Sequence, residues 1–133
     1  MENKKRTVAA VFVKLLYHKN MNRGMKLIEH ESRCVIKGEI HELVTTDQVQ
    51  AMPGEQIDRV GFLGFAEILT GGVIEKGDEV RLGTNLIGQV LGFDDCHFPN
   101  HYNILIATNK LLSANDLSLL VEQKLEFCST VRT

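Results

Sequence analysis

The densest group of chemically active side chains lies between residues 94 and 103. This segment, DDCHFPNHYN, combines carboxylates, a thiol, two imidazoles and a phenol. The candidate ligand-binding residues in it are Asp94, Asp95, Cys96, His97, His101 and Tyr102. Pro99 prevents a regular helix, so the segment is predicted to be a loop between two strands. On a helix the four-residue spacing of the histidines would place them on one face, but a loop gives that spacing no fixed geometry.

Three interpretations of this loop fit its residue types. Imidazole and carboxylate ligands suit zinc or a similar divalent metal, which predicts a site made by His97, His101 and Asp94, or Asp95 in its place. A thiol beside an imidazole suits a cysteine nucleophile at Cys96, although sequence neighbours on an extended chain rarely reach that geometry. In the third interpretation the loop is a connector whose Asp and Asn side chains bind local backbone.

A further candidate, Glu67, lies in the most apolar stretch of the chain, residues 60–69. On a strand its side chain shares a face with Leu63, Phe65 and Leu69. Burying a carboxylate there without a partner is costly and raises its pKa, and raised carboxyl pKa values are typical of acid–base sites. The alternative is that this face opens to solvent or that a basic side chain pairs with the carboxylate.

Short β-strands are predicted to position these residues, because brief apolar stretches alternate with glycine-containing turns. The predicted strands cover residues 8–17, 25–29, 33–44, 60–69, 73–74, 79–82, 87–94, 103–108 and 125–130. Gly38 is expected to mark a bend or bulge within 33–44. Several strands are apolar on both faces, which favours a closed sheet in so small a chain.

We therefore predict a mainly all-β fold, a small antiparallel β-barrel with one short helix near the C-terminus. The helix is predicted at about residues 113–122, because Ser113 and Asp116 form a variant capping box. Leu117, Leu120 and Val121 then follow at helical spacing. The 133 residues contain no repeat or linker, which predicts a single domain over residues 1–133.

Composition narrows the class of partner. The formal net charge is −2 and the pI about 6.2, without the basic footprint of a nucleic-acid-binding domain. No apolar run is long enough for a transmembrane helix, so no membrane partner is expected. The three cysteines form no CxxC pair, which fits a cytoplasmic protein without disulfides. Surplus apolar strand faces predict a homodimer.

Residues 68–106 carry a recognisable series of motifs. These are G-x-I-x-x-G-D-x-V-x-x-G, then I-G-x-V-x-G-F-D, then N-H-x-N-I-x-I. The series resembles the glucitol/sorbitol-specific enzyme IIA component of the bacterial sugar phosphotransferase system. The resemblance implies a bacterial, cytoplasmic β-barrel. That family is phosphorylated on a histidine just upstream, but the corresponding stretch here, VGFLGFAE, contains no histidine. The phosphoacceptor therefore does not carry over.

Two functions follow from these observations. The first is a non-enzymatic ligand-binding or regulatory module, whose small-molecule or protein partner would bind at the 94–103 loop. The alternative is a small metal-dependent or phosphotransfer enzyme that uses His97 or His101.

Overall fold

Apolar stretches and turns alternate along residues 5–97 and 100–130, which are the residues that the computed structural model describes. Their strands are β1 (Val8–Leu15), β2 (Lys19–Asn20), β3 (Met25–Lys26), β4 (Ser32–Val35), β5 (Ile40–Thr46), β6 (Gln56–Ile57), β7 (Val60–Thr70), β8 (Gly72–Glu75), β9 (Glu79–Leu82), β10 (Asn85–Asp94), β11 (Asn103–Ala107) and β12 (Lys124–Cys128). The predicted all-β class is confirmed. These ranges include no helix long and apolar enough to cross a bilayer.

The main sheet has the strand order β1-β12-β9-β10-β11-β5-β7-β2, and β1 also pairs with β7. Its pairings therefore form a cycle of seven strands, with β2 attached beside β7. The expectation of antiparallel pairing throughout is wrong at one place, because β11 and β5 are parallel. Parallel neighbours need a long crossover connection, and here residues 47–102 provide it. A strand's local pattern does not reveal the direction of its neighbour.

The predicted strand at 33–44 is two strands, because the chain turns at Gly38. This glycine has φ of +96°, a conformation that side chains rarely adopt. Before the turn β4 pairs with β8 in a small separate sheet, and after it β5 enters the main sheet between β11 and β7. Because of this turn, β5 lies in the main sheet beside β11, next to the 94–103 loop.

The predicted helix at 113–122 is absent, and the segment consists of turns. The capping contact does form, since Asp116 Oδ2 accepts hydrogen bonds from the Ser113 backbone N–H at 2.8 Å and hydroxyl at 3.2 Å. Ser118, however, has φ of +53°, which interrupts right-handed helical geometry two residues later. Leu120 and Val121 are exposed rather than packed on the sheet.

Two hydrophobic clusters cover the two faces of the main sheet, as the alternation along β5 shows. Leu43 belongs to the larger cluster and its neighbour Val44 to the smaller one. In the smaller cluster, Met25, Leu27 and Ile57 from the β3 and β6 region pack over the sheet. Side chains at the end of that face, beyond the apolar cover, form the site described next.

Candidate functional site

A row of polar side chains crosses three strands at one end of the main sheet. Asp94 on β10 lies opposite Asn103 on β11, and Asn103 lies opposite Glu42 on β5. Residues paired in this way direct their side chains to the same face. Glu42 lies in turn opposite Phe65 on β7. Although they are polar, Asp94, Asn103 and Glu42 are 3%, 0% and 6% exposed.

The β10–β11 loop places two imidazoles over this row. One ligand atom from each of Glu42, His97 and His101 lies within 4.8 Å of the others, and we call these three residues the Glu–His cluster. The two imidazole rings stack with their centroids 5.0 Å apart. The edge contact of Phe65 with His101, at 5.4 Å between ring centroids, helps to fix the second imidazole. Three potential metal ligands therefore converge from one strand and one loop.

Burial shifts the pKa values of two members of this cluster, Glu42 and His101. Burial raises the pKa of the Glu42 carboxyl, and Asp94 adds to this, while His97 and Arg23 oppose it. Burial also lowers the pKa of His101, with smaller contributions from His97 and His41. His101 is therefore neutral at pH 7, and its contact with Glu42 is not an ion pair at that pH.

The contact between Glu42 and His101 leaves a polar atom of His101 unsatisfied. His101 Nε2 lies 3.6 Å from Glu42 Oε1, beyond hydrogen-bond distance. Within the described residues, this buried nitrogen has no hydrogen-bond partner. A buried carboxylate facing an unpartnered imidazole nitrogen is costly unless a proton or a cation lies between them.

Asp94, a predicted ligand, is not part of the Glu–His cluster. Its Oδ2 accepts a hydrogen bond from the Lys26 N–H at 2.8 Å. Its Oδ1 accepts from the Cys96 N–H at 3.0 Å and from Asn103 Nδ2 at 2.9 Å. Burial alone would raise the pKa of the Asp94 carboxyl. The hydrogen bonds from Cys96, Lys26 and Asn103 have a larger combined effect, so the pKa is lowered. The carboxylate thus anchors the start of the loop.

Cys96 lies beside the Glu–His cluster but in an environment that disfavours the thiolate. Its Sγ lies 3.4 Å from Asn103 Nδ2 and 3.9 Å from Arg23 Nη2. Burial raises the pKa of the thiol, and Asp94 raises it further, while Arg23 acts in the opposite direction. The thiolate is the nucleophilic form of cysteine, so this environment gives the nucleophile interpretation no support.

Tyr102 is directed toward another group of residues. Its backbone N–H donates to His41 Nδ1 at 3.0 Å, and its ring lies 4.8 Å from the Arg33 guanidinium carbon. These contacts hold the end of the loop against β4 and β5.

Asp95 and Glu67 also lie apart from the Glu–His cluster. Asp95 is exposed and lines a separate cavity of about 280 Å³ beside Lys26 and Gly54. Glu67 is half-buried on β7, opposite Ile40 and Val11 and two residues beyond Phe65. Glu67 therefore shares the face of Glu42 without contributing to the group of three ligand atoms.

Sequence reasoning missed Glu42 and Arg23. Glu42 follows Ile36 and Ile40 at two-residue spacing, so the alternation places it on the less polar face of the predicted strand. A carboxylate at a position where the alternation predicts an apolar residue is the signal that could have identified it. Arg23 lies in the turn before β3, and no local pattern distinguishes it from other turn residues.

These observations describe an all-β protein with a candidate metal centre between β5 and the β10–β11 loop. The chain belongs to a family of unknown function (DUF6917), whose model matches residues 2–128. Neither the curated proteins nor the solved structures contain a significant match to it.

Proposed function

We propose that this protein binds a divalent transition metal through Glu42, His97 and His101, with coordination positions left open for a ligand. The observation that carries the proposal is the buried Glu42 carboxylate facing the unpartnered Nε2 of His101. A cation between these atoms would satisfy both. Two imidazoles and a carboxylate suit zinc and neighbouring metals, and three protein ligands leave a position for water or another molecule.

The surroundings of the cluster support this proposal. A metal site holds its ligands in place through the groups that contact them. Phe65 contacts the His101 ring, and Asp94 fixes the first residues of the loop through the Cys96 N–H. The low pKa of His101 favours the neutral imidazole, which is the form that binds a metal.

Within this proposal the protein is a metal-dependent binding module. We propose in addition that the cyclic main sheet is a closed barrel and that the protein acts in the cytoplasm. The proposed relation to sorbitol-type phosphotransferase components has no support in the family match. The cluster supports metal binding more directly than phosphotransfer through His97 or His101, because a ligand set explains the buried Glu42.

Zinc titration of the chelator-treated protein tests the proposal. We expect one zinc ion to bind per chain, as measured by calorimetry. At a free zinc concentration about 100 times the Kd, binding adds about 2.7 kcal/mol to the free energy of unfolding, or roughly 10 °C in Tm. The double variant His97→Ala, His101→Ala should remain folded, bind no zinc in the titration and show no gain in stability when zinc is added. Equal zinc binding by the double variant would contradict the proposal.

A homodimer is a separate proposal, supported by exposed apolar side chains near the Gly38 turn. Ile36 and Ile40 are 66% and 43% exposed there. We expect light scattering at micromolar concentration to give twice the chain mass of 14.9 kDa. A mass near that of one chain would contradict it, and an Ile36→Ser, Ile40→Ser variant should shift the equilibrium toward the monomer.

A further inference from the structure

Arg23 brings a positive charge to the Glu–His cluster from a separate turn. Two hydrogen bonds fix this turn: the Arg23 N–H donates to the Asp58 carbonyl at 3.0 Å, and the Gly24 N–H donates to Asp58 Oδ1 at 3.1 Å. The guanidinium Nη2 lies 3.9 Å from the sulfur of Cys96, the residue before His97. The guanidinium therefore lies beside the start of the β10–β11 loop, which carries both imidazoles. Its charge opposes the rise that burial causes in the pKa of Glu42.

The guanidinium of Arg23 has no carboxylate partner within ion-pair distance among residues 5–97 and 100–130. Of the other arginines in that part of the chain, Arg59 pairs with Asp47 and Arg81 pairs with Glu79, each at 2.7 Å, while Arg6 and Arg33 form no such pair. Asp94 cannot easily take this role, because its two oxygens already accept three hydrogen bonds. Arg23, a half-buried residue, thus has guanidinium donors available next to the proposed metal site.

We infer that the open metal positions and Arg23 together bind a small oxyanion, a carboxylate or a phosphate. The inference rests on the proposed metal site. A divalent metal held by Glu42, His97 and His101 and the guanidinium of Arg23 would both attract an anion. The planar guanidinium donates two parallel hydrogen bonds to the oxygens of a carboxylate or phosphate, and a metal binds the same oxygens directly.

Cobalt substitution separates anion binding from metal binding. The protein loaded with Co²⁺ is titrated with acetate in one series and phosphate in another, and the visible absorption of the metal is followed. We expect a saturable spectral change with at least one of the anions. Arg23→Gln should bind Co²⁺ at least as tightly as wild type, because a positive charge beside the metal is removed, and it should weaken the anion by roughly 10- to 100-fold, the range for charge-assisted hydrogen bonds.

Two further variants complete the test. Arg23→Lys keeps the charge and loses the planar pair of donors, so its anion affinity should lie between those of wild type and Arg23→Gln. Arg81→Gln removes an arginine that pairs with Glu79 on β9, and it should leave anion binding unchanged.

The outcomes distinguish the inference from the function on which it rests. If the wild-type protein binds no Co²⁺, the metal site is wrong and the inference fails with it. If Co²⁺ binds but neither anion changes the spectrum, or Arg23→Gln binds the anion as tightly as wild type, only the inference fails. Loss of Co²⁺ binding in Arg23→Gln would make Arg23 part of the metal site's framework and would also overturn the inference. The anion that binds more tightly identifies the class of ligand.

Discussion

Replacing Glu42 by glutamine is expected to abolish most zinc binding while making the metal-free protein more stable. Removing a metal ligand should cost at least as much as removing a supporting residue, so we expect an affinity loss of about 100-fold or more. The stability gain follows from burial, because glutamine fills the same volume without placing a charge opposite the His101 nitrogen. A ligand residue that destabilises the empty protein is difficult to explain as a structural residue.

The raised pKa of Glu42 determines how the stability difference between Glu42→Gln and wild type changes with pH. Burial raises the folded-state pKa of Glu42 above 4.5, so its stabilising contribution is complete below that pH and is lost as the pH rises through the folded-state pKa. Glutamine cannot ionise and avoids this loss. Thermal unfolding with a chelator present should therefore show the variant above wild type at pH 7, with the difference shrinking toward pH 4.

Glu67→Gln is the matched control for this variant. Glu67 is half-buried on the same face of the adjacent strand but lies outside the Glu–His cluster. We expect its zinc affinity, measured by calorimetry, to equal that of wild type. Equal losses in the two variants would indicate a general effect of acidic residues, and an unchanged affinity in Glu42→Gln would remove Glu42 from the site.

The strands were largely predictable, because local patterns determine them. Apolar runs such as 60–69 and 103–108 predicted β7 and β11 to within one or two residues. The direction of pairing was not predictable, because it depends on how distant segments pack. The absence of the helix was not predictable either. Ser113 and Asp116 make the predicted capping contact, but the left-handed conformation of Ser118 prevents the helix from continuing.

The candidate site was predictable only where it is local in the sequence. His97 and His101 lie in one loop, and the structure stacks their imidazoles. Glu42 joins them through the parallel pairing of β5 and β11, which no pattern within either strand encodes. The sequence offered Asp94 as the nearest carboxylate, but backbone donors at Lys26 and Cys96 occupy its oxygens instead. Asp94 is therefore excluded from the Glu–His cluster by its hydrogen bonds to backbone donors, and the composition of the loop does not reveal those bonds.

Asp94→Ala is expected to be the most destabilising change in the loop. It removes the acceptor of three hydrogen bonds, so the part-buried N–H groups of Lys26 and Cys96 lose their acceptor and Asn103 Nδ2 keeps only its contact with the Cys96 sulfur. Hydrogen bonds to charged groups contribute about 1.5–3 kcal/mol each and are not additive, so we expect a loss of about 3 kcal/mol in the free energy of unfolding. Asp95→Ala, at the neighbouring exposed position, should change it by less than about 0.5 kcal/mol. Urea unfolding measures both.

The Asp94 variants also separate an anchor from a metal ligand. The folded-state pKa of Asp94 lies below 3.8, so its contribution is present above that pH and is lost as the pH falls through the folded-state pKa. The stability difference between wild type and Asp94→Ala should therefore shrink in acid. Asp94→Asn keeps one oxygen as an acceptor for part of the network. If Asp94 is an anchor, this variant loses stability but retains more zinc affinity than Glu42→Gln. A zinc affinity as low as that of Glu42→Gln would instead make Asp94 a ligand, as the sequence alone predicted.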